Sequence, residues 1–277
     1  MQPYFSIITA SRNAAKSLPR LLASLEKQNF TSFELVVQDA ASSDGTLQLL
    51  DNASQRLPSI QVSSQKDQGI YDAWNKAISR AMGQWLLFLG ADDQLAAPDV
   101  LEKASHILYM LPPNVKFAAG AVRMLDKAAR CRLYAQPILT GGNSRLKYIA
   151  PVAFPGLFIR RQLVANNPFD ASLKISADYD FLCRTWKDQQ AVSLEFDVCI
   201  MEEGGISSNP ANQFAAAWEN TQIASRHFQN VWEIKRIKML IKAGLVSGTF
   251  RILGPKRGAL ALDAVRRLRG LAPCWKK

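Results

Sequence analysis

Along the first third of the chain, short apolar runs alternate with stretches in which apolar residues recur every three or four positions. Phe5–Ala10 reads as a buried strand. Leucines at 18, 21, 22 and 25 predict a helix within Asn13–Gln28. Phe33–Asp39 predicts a second strand. Ser42-Ser43-Asp44-Gly45-Thr46 follows, with small polar residues that suit the start of a helix reaching about Arg56. Ile60–Ser64 predicts a third strand and Gly69–Met82 a helix. Gln84–Gly90 predicts a fourth, apolar strand that ends at Ala91-Asp92-Asp93. Strands alternating with helices imply an α/β fold with a parallel sheet covered on both faces.

The second half is less regular. Lys116–Leu125 and Cys131–Ala135 suit a hairpin, and residues 136–151 read as a loop with Pro137, Gly141, Gly142 and Pro151. Phe154–Arg160 and Ala191–Phe196 predict strands, and Ala177–Lys187 a helix that opens on Asp178-Tyr179-Asp180. Glu202–Ser208 reads as a flexible loop. From about Asn212 the chain reads as helical, with a break near Gly254-Pro255.

Open parallel sheets bind ligands beyond the carboxyl ends of their strands. Polar residues fall there: Ser11, Arg12 and Asn13 after the first strand, Asp39 after the second, Asp67 after the third, and Asp92 and Asp93 after the fourth. This convergence of four strands on one edge predicts an active site. An acidic pair at a rigid strand end suits magnesium or manganese beside a diphosphate, although such a pair also occurs in plain solvated turns. Asp178 and Asp180 at a helix start suit either a general base or simple capping carboxylates.

Charge divides the chain. From residue 226 onward there are thirteen basic residues against Glu233 and Asp263, and the resulting excess equals the +11 of the whole chain. Apolar residues are interleaved: Val231, Trp232, Ile234, Ile237, Met239, Leu240 and Ile241, then Leu260, Leu262, Val265 and Leu268. A basic amphipathic tail of this kind suits an anionic membrane surface, or else a solvated helical appendage packed on the domain. No export signal and no uninterrupted apolar stretch of membrane-spanning length is visible. Cys131, Cys183, Cys199 and Cys274 are scattered, and His106 and His227 stand alone, so zinc is not expected and a reducing cytoplasm is.

Four blocks carry a resemblance. Ser6-Ile-Ile-Thr-Ala-Ser-Arg-Asn13, Val37-Gln-Asp-Ala-Ala-Ser-Ser-Asp-Gly-Thr46, Asp67-Gln-Gly-Ile-Tyr-Asp-Ala-Trp-Asn-Lys76 and Gly83-Gln-Trp-Leu-Leu-Phe-Leu-Gly-Ala-Asp-Asp93 stand in the order seen in family 2 glycosyltransferases. Phe169-Asp170, Ile175–Arg184 and Gly204–Ser208 resemble the family's acceptor-side segment. The sequence is similar to the bacterial branch that builds exopolysaccharide, capsule, lipopolysaccharide and colanic acid. The resemblance implies a GT-A, Rossmann-type nucleotide-binding domain over residues 1–225, followed by the basic helical tail 226–277. It implies inverting transfer of a sugar from a UDP-, GDP- or dTDP-linked donor, with Mn2+ or Mg2+, to a glycan or lipid-linked glycan. Thr9, Ala10, Arg12, Asp39, Asp67, Lys76 and Asp92 become donor contacts, Asp92 and Asp93 metal ligands, and Asp178 the catalytic base, with Asp180 in reserve. The implied location is the cytoplasm, peripheral at the inner face of the membrane.

The sequence departs from the family pattern in places. Gly90 stands at the first position of the metal motif, Ala40-Ala41 replace common glycine or aspartate, and Ala177 replaces a glutamate. The Gln-x-x-Arg-Trp motif of processive synthases is absent, which favours transfer of a single sugar.

Rival classes fare less well. No Gly-x-Gly-x-x-Gly follows the first strand, as a dinucleotide-binding oxidoreductase requires, and no phosphate-loop motif is present. Ser11-Arg12-Asn13-Ala14 is not the glycine-rich loop of a sugar nucleotidyltransferase. Charge alone keeps a nucleic-acid binder open, but the basic residues lack an aromatic stacking platform, so no nucleic acid is expected. An inactive membrane-bound scaffold is disfavoured by Asp92, Asp93 and Asp178.

Overall fold

The computed structural model describes residues 2–126, 130–139, 146–202, 209–268, 271 and 275. Parts of the two expected loops (140–145 and 203–208), including the Gly204–Ser208 stretch, lie outside the described residues, as does Cys274. The first half follows the apolar pattern: β1 (Phe5–Ser11), α1 (Leu18–Glu26), β2 (Phe33–Asp39), α2 (Thr46–Ala53), β3 (Ile60–Ser64), α3 (Ile70–Ile78) and β4 (Trp85–Phe88). Next come β5 (Gln94–Leu95), α4 (Val100–Tyr109), β6 (Phe117–Leu125), β7 (Cys131–Ala135), β8 (Leu157–Arg160), α5 (Arg161–Asn166), α6 (Ala177–Thr185), β9 (Ala191–Glu202), α7 (Gln213–His227) and α8 (Ile234–Leu268). α8 is interrupted at Gly254, whose φ of 74° is not helical.

The sheet runs in the order β3-β2-β1-β4-β8-β6-β9-β5, with β7 beside β6. β3, β2, β1 and β4 are parallel, as the alternation of strands and helices requires. Beyond β4 the sheet is mixed: β8 is antiparallel to β4 and β6, and β6 is parallel to β9. A short 3-10 turn at Phe154–Gly156 leads into β8, so the strand begins later than the apolar run. β9 continues past Phe196 to Glu202 because β6 and then β5 supply pairing partners across register shifts. α4 (Val100–Tyr109) is an additional helix beyond the expected elements.

Strand alternation explains why both faces are covered. Ile7, Leu35, Val37 and Leu87 face a core shared with Leu18, Leu21, Leu22 and Leu25 of α1 and with Leu101 and Leu108 of α4. Ile8, Val36, Leu86 and Phe88 face a second core with Tyr71 and Trp74 of α3, Phe154, Phe169 and Phe181. Each fully buried leucine contributes about 1.5–3 kcal/mol, so α1 is held by its leucine stripe.

At the amino edge, buried Glu34 is fully partnered. Glu34 in β2 accepts hydrogen bonds from Ser6 Oγ at 2.6 Å, Gln61 Nε2 at 2.7 Å and the Met82 amide at 2.6 Å. The chain entering β4 passes so close to β1 that a Cβ on Gly83 would stand 2.4 Å from the Ser6 nitrogen and 2.6 Å from the Phe5 carbonyl carbon. Both are backbone atoms and cannot swing aside. Gly83→Ala is therefore expected to destabilise the fold by about 1–3 kcal/mol, seen as a lower denaturant midpoint. An unchanged midpoint would contradict this close approach.

Candidate active site

The carboxyl ends of the parallel strands carry the site. Ser11, Asp39 and Ser64 are paired neighbours across β1, β2 and β3 and form one polar row. Asp39 is buried, and its carboxylate accepts four hydrogen bonds. Ser11 Oγ (2.9 Å) and Ser42 Oγ (2.5 Å) donate to Oδ1, and the Ser42 amide (2.8 Å) and Ser64 Oγ (2.7 Å) to Oδ2. Burial alone would raise its pKa, but these donors outweigh burial and hold the carboxyl below its ordinary value. Every lone pair of the Asp39 carboxylate is thus occupied by the protein, and any ligand contacting it must displace one of these donors.

The loops after β1 and β2 fasten to each other. The Asn13 amide donates to Ser42 Oγ at 2.7 Å, and Asn13 Oδ1 accepts from the Ser43 amide at 3.0 Å. Asn13 and Ala41 take left-handed φ values of 48° and 55° to make these turns. An alanine there costs about 1–2 kcal/mol, which explains why glycine suits position 41. Thr9 is buried near the end of β1, and its Oγ1 has no partner among the described residues. Ala10 is half-buried and Arg12 is exposed beside the row.

On the next strand, the chain turns at Gly90-Ala91-Asp92-Asp93. Asp93 is buried, and its Oδ2 accepts from the Gly90 amide at 2.7 Å. Burial, then the neighbouring Asp92 charge, pushes its carboxyl up to about 7 against that hydrogen bond. A Cβ on residue 90 would lie 2.7 Å from Asp92 Oδ1 and 3.2 Å from Asp93 Oδ2. Gly90 therefore leaves room for both carboxylates to fold back over the turn. Asp92 is half-exposed and open to a ligand. Among the described residues no group of three or more His, Cys, Asp or Glu side chains gathers to hold an ion. Magnesium and manganese sites on phosphate substrates use one or two carboxylates, with phosphate and water completing the shell, so Asp92 and Asp93 fit that donor set.

Asp67 and Lys76 take local roles around α3. Asp67 Oδ1 accepts from the Gly69 amide at 3.0 Å. Lys76 Nζ pairs with Asp72 at 2.9 Å and donates to the Lys66 carbonyl at 3.3 Å.

α3 also reaches the second half of the chain, through two residues one turn apart. Asn75 exchanges hydrogen bonds with Phe169 at 2.8 and 3.0 Å. Tyr71 Oη donates to the Ile175 carbonyl at 2.6 Å and lies 3.3 Å from Asp178 Oδ1. Asp178 opens α6, half-buried, with its Oδ1 also accepting from the Tyr179 amide at 2.8 Å. Burial raises its carboxyl to about 6 despite these donors.

Asp180 is differently occupied. Its Oδ2 takes Arg184 Nε at 2.8 Å within the same helix, and its Oδ1 meets His227 Nε2 of α7 at 2.9 Å, so one oxygen ties α6 to α7. Glu219 of α7 was not anticipated from sequence. Its carboxylate accepts from the Lys174, Ile175 and Ser176 amides at 2.8, 2.8 and 2.7 Å, directly before α6. Tyr71 sat inside a motif whose ends alone had been assigned. Glu219 gave no signal, because its partners lie more than forty positions away.

Comparison with known proteins places this geometry in a class. The family model described as Glycosyl transferase family 2 matches residues 6–127. A PGL/p-HBAD biosynthesis glycosyltransferase of Mycobacterium bovis is 32% identical over 217 residues, covering 74% of this chain and 80% of that protein. The chain belongs to glycosyl transferase family 2 and is a glycosyltransferase. The poly(ribitol-phosphate) beta-N-acetylglucosaminyltransferase TarS of Staphylococcus aureus is 29% identical over 206 residues, 70% of this chain and 34% of that one. The crystal structure of TarS residues 1–349 with UDP-GlcNAc superposes with a TM-score of 0.62 at 21% identity, over 95% of this chain and 85% of that one. Mannosyltransferase PcManGT from Pyrobaculum calidifontis, in complex with GDP-Man and Mn2+, gives a TM-score of 0.64 at 17% identity, over 99% and 82%. The fold is thus the GT-A type.

Removing the Glu219 carboxylate leaves three backbone amides without their acceptor. Glu219→Ala is expected to destabilise the chain by about 1–3 kcal/mol. Hydrogen exchange at Lys174–Ser176 should accelerate more than exchange in β1. Equal protection in variant and parent would show that Glu219 does not hold this turn.

Proposed function

We propose that the chain transfers a single sugar from a nucleoside-diphosphate donor, UDP-, GDP- or dTDP-linked, to a hydroxyl of a lipid-linked glycan, with inversion at the anomeric carbon. Residues 1–225 form the transferase domain. The basic tail 226–277 holds it at the inner, anionic face of the cell membrane, where such an acceptor resides. The observation that carries this reading is the placement of Asp178: a half-buried carboxyl with a raised pKa, tied through Tyr71 to the helix that follows the donor-side strands.

The strand-end row supports the donor assignment. Thr9, Ala10, Arg12, Asp39, Asp67, Lys76 and Asp92 surround the nucleotide, and Asp39 reads the base after one serine hydroxyl turns away. Asp92 and Asp93 would hold Mn2+ or Mg2+, which would supply positive charge against the departing diphosphate. In the transfer step the acceptor oxygen bonds to the anomeric carbon as the bond from that carbon to the phosphate oxygen breaks. The hydroxyl proton passes to the Asp178 carboxylate. The Tyr179 amide, donating to Oδ1 at 2.8 Å, holds that carboxylate, and the Tyr71 hydroxyl stands 3.3 Å from the same oxygen. The donors and metal seen with TarS and PcManGT support a nucleotide-sugar and a divalent ion here.

Asp178 must be ionised to accept a proton, so kcat is expected to fall as pH drops below about 6, the value to which burial raises its carboxyl. Asp178→Asn should lower kcat by about 10²–10⁴-fold and leave donor-induced thermal stabilisation intact. Full activity in that variant would remove Asp178 from the role. Asp92→Asn should abolish the extra stabilisation that manganese adds to donor binding, read against a total of about 2.7 kcal/mol for a ligand at a hundred times its dissociation constant. Undiminished transfer by that variant, or by the parent in excess chelator, would overturn the metal assignment.

A further inference from the structure

The tail helix carries apolar side chains on two opposite faces, and only one of them is covered. Arg236, Leu240, Ala243 and Ser247 form its inward face and are buried. Arg236 reaches Thr221 Oγ1 at 3.3 Å and the Lys147 carbonyl. Ser247 Oγ accepts from the Phe214 amide at 2.9 Å and donates to the Pro210 carbonyl at 3.1 Å. These bonds fix how the helix is rotated about its own axis.

With that rotation fixed, Ile234, Ile237, Ile241, Leu245 and Ile252 point outward, and they are 72, 44, 59, 68 and 84% exposed. Their spacing keeps them within one stripe of a regular helix, on the side away from the buried face. All precede the break at Gly254. Exposed Lys238 and Lys242 border the stripe on one side, and exposed Arg251 borders it on the other. A helix packed on a domain in water turns polar residues outward. This one turns five large aliphatic residues outward, with cations along the edges.

The cations select the occupant. A second copy of the chain would bring its own excess of basic residues against these, and a nucleic acid has no use for an aliphatic stripe. An anionic bilayer offers hydrocarbon beneath a negatively charged surface, and among the described residues no helix is long and apolar enough to cross one. We propose that the Ile234–Leu253 part of the tail lies in the plane of an anionic membrane. The Ile234–Ile252 stripe sinks to the acyl boundary, and Lys238, Lys242 and Arg251 lie at the lipid phosphates. This deepens the membrane location proposed above and is independent of the roles given to Asp92 and Asp178.

Co-sedimentation of the full chain with phosphatidylglycerol–phosphatidylcholine vesicles, against phosphatidylcholine alone, tests the proposal. The parent should pellet with the anionic vesicles at low salt and much less at high salt. I241S/L245S should lose most of this binding, and K238E/K242E should lose it by about fivefold or more per residue. The four side chains are exposed, so both variants should keep the parent's unfolding midpoint and its rate of donor hydrolysis. Equal pelleting of I241S/L245S and parent, or equal binding to neutral vesicles, would overturn the assignment. So would a parent that ignores vesicles and forms a dimer which I241S/L245S dissociates. Undiminished sugar transfer by Asp178→Asn, with vesicle binding intact, would count against the catalytic reading alone.

Discussion

Parallel strands covered on both faces leave only their ends for polar chemistry. β1, β2 and β4 are almost wholly buried, so their side chains are committed to one core or the other. Carboxylates can enter such a sheet only where donors are dense enough to replace water. Glu34 meets that condition at the amino edge and Asp39 at the carboxyl edge, each within a set of short hydrogen bonds. The two differ in what lies beyond them. Around Glu34 the chain closes tightly, with no space even for a methyl group on Gly83. Around Asp39 the partners are Ser11 and Ser64 at the last positions of β1 and β3 and Ser42 on the following loop, next to turns that open to solvent.

The second constraint is the coupling of the two halves. The donor-side loops belong to the first hundred residues, and Asp178 belongs to a later helix. α3 joins them. Its apolar side enters the core through Trp74 and Ala77, while Tyr71 and Asn75 reach the Phe169–Asp178 segment. The aromatic cluster of Trp74, Phe88, Phe154 and Phe169 packs beneath these hydrogen bonds, with ring centroids 4.9–5.8 Å apart. A shift of α3 would therefore move both sides of the proposed reaction centre together.

The first half was legible because burial on two faces forces near-continuous apolar strands, and the leucine spacing of α1 is unambiguous. The boundaries of β1, β2 and β3 fell close to the expected positions. α4 lay outside the expected elements, although Val100, Leu101, Ala104 and Leu108 carry helical spacing and are buried along one face. The extent of β9 depends on pairing with β6 and β5, which no local pattern announces. At the candidate site, the strand-end carboxylates could be read from position alone. Their serine partners were visible only as turn formers. The separate characters of Asp178 and Asp180 were not legible at all: Arg184 lies one helical turn away, but His227 arrives from another helix. The tail showed its charge and amphipathic composition in sequence, while the face left uncovered depended on where Arg236 and Ser247 dock.

The central claim is a single displacement in which Asp178 deprotonates the acceptor while the nucleoside diphosphate departs from the opposite side of the anomeric carbon. The most direct measurement is the proton NMR anomeric coupling of the first product formed from a donor of known configuration, followed before mutarotation or further reaction. The account predicts a product linkage opposite to that of the donor. A linkage of the same configuration as the donor would contradict it.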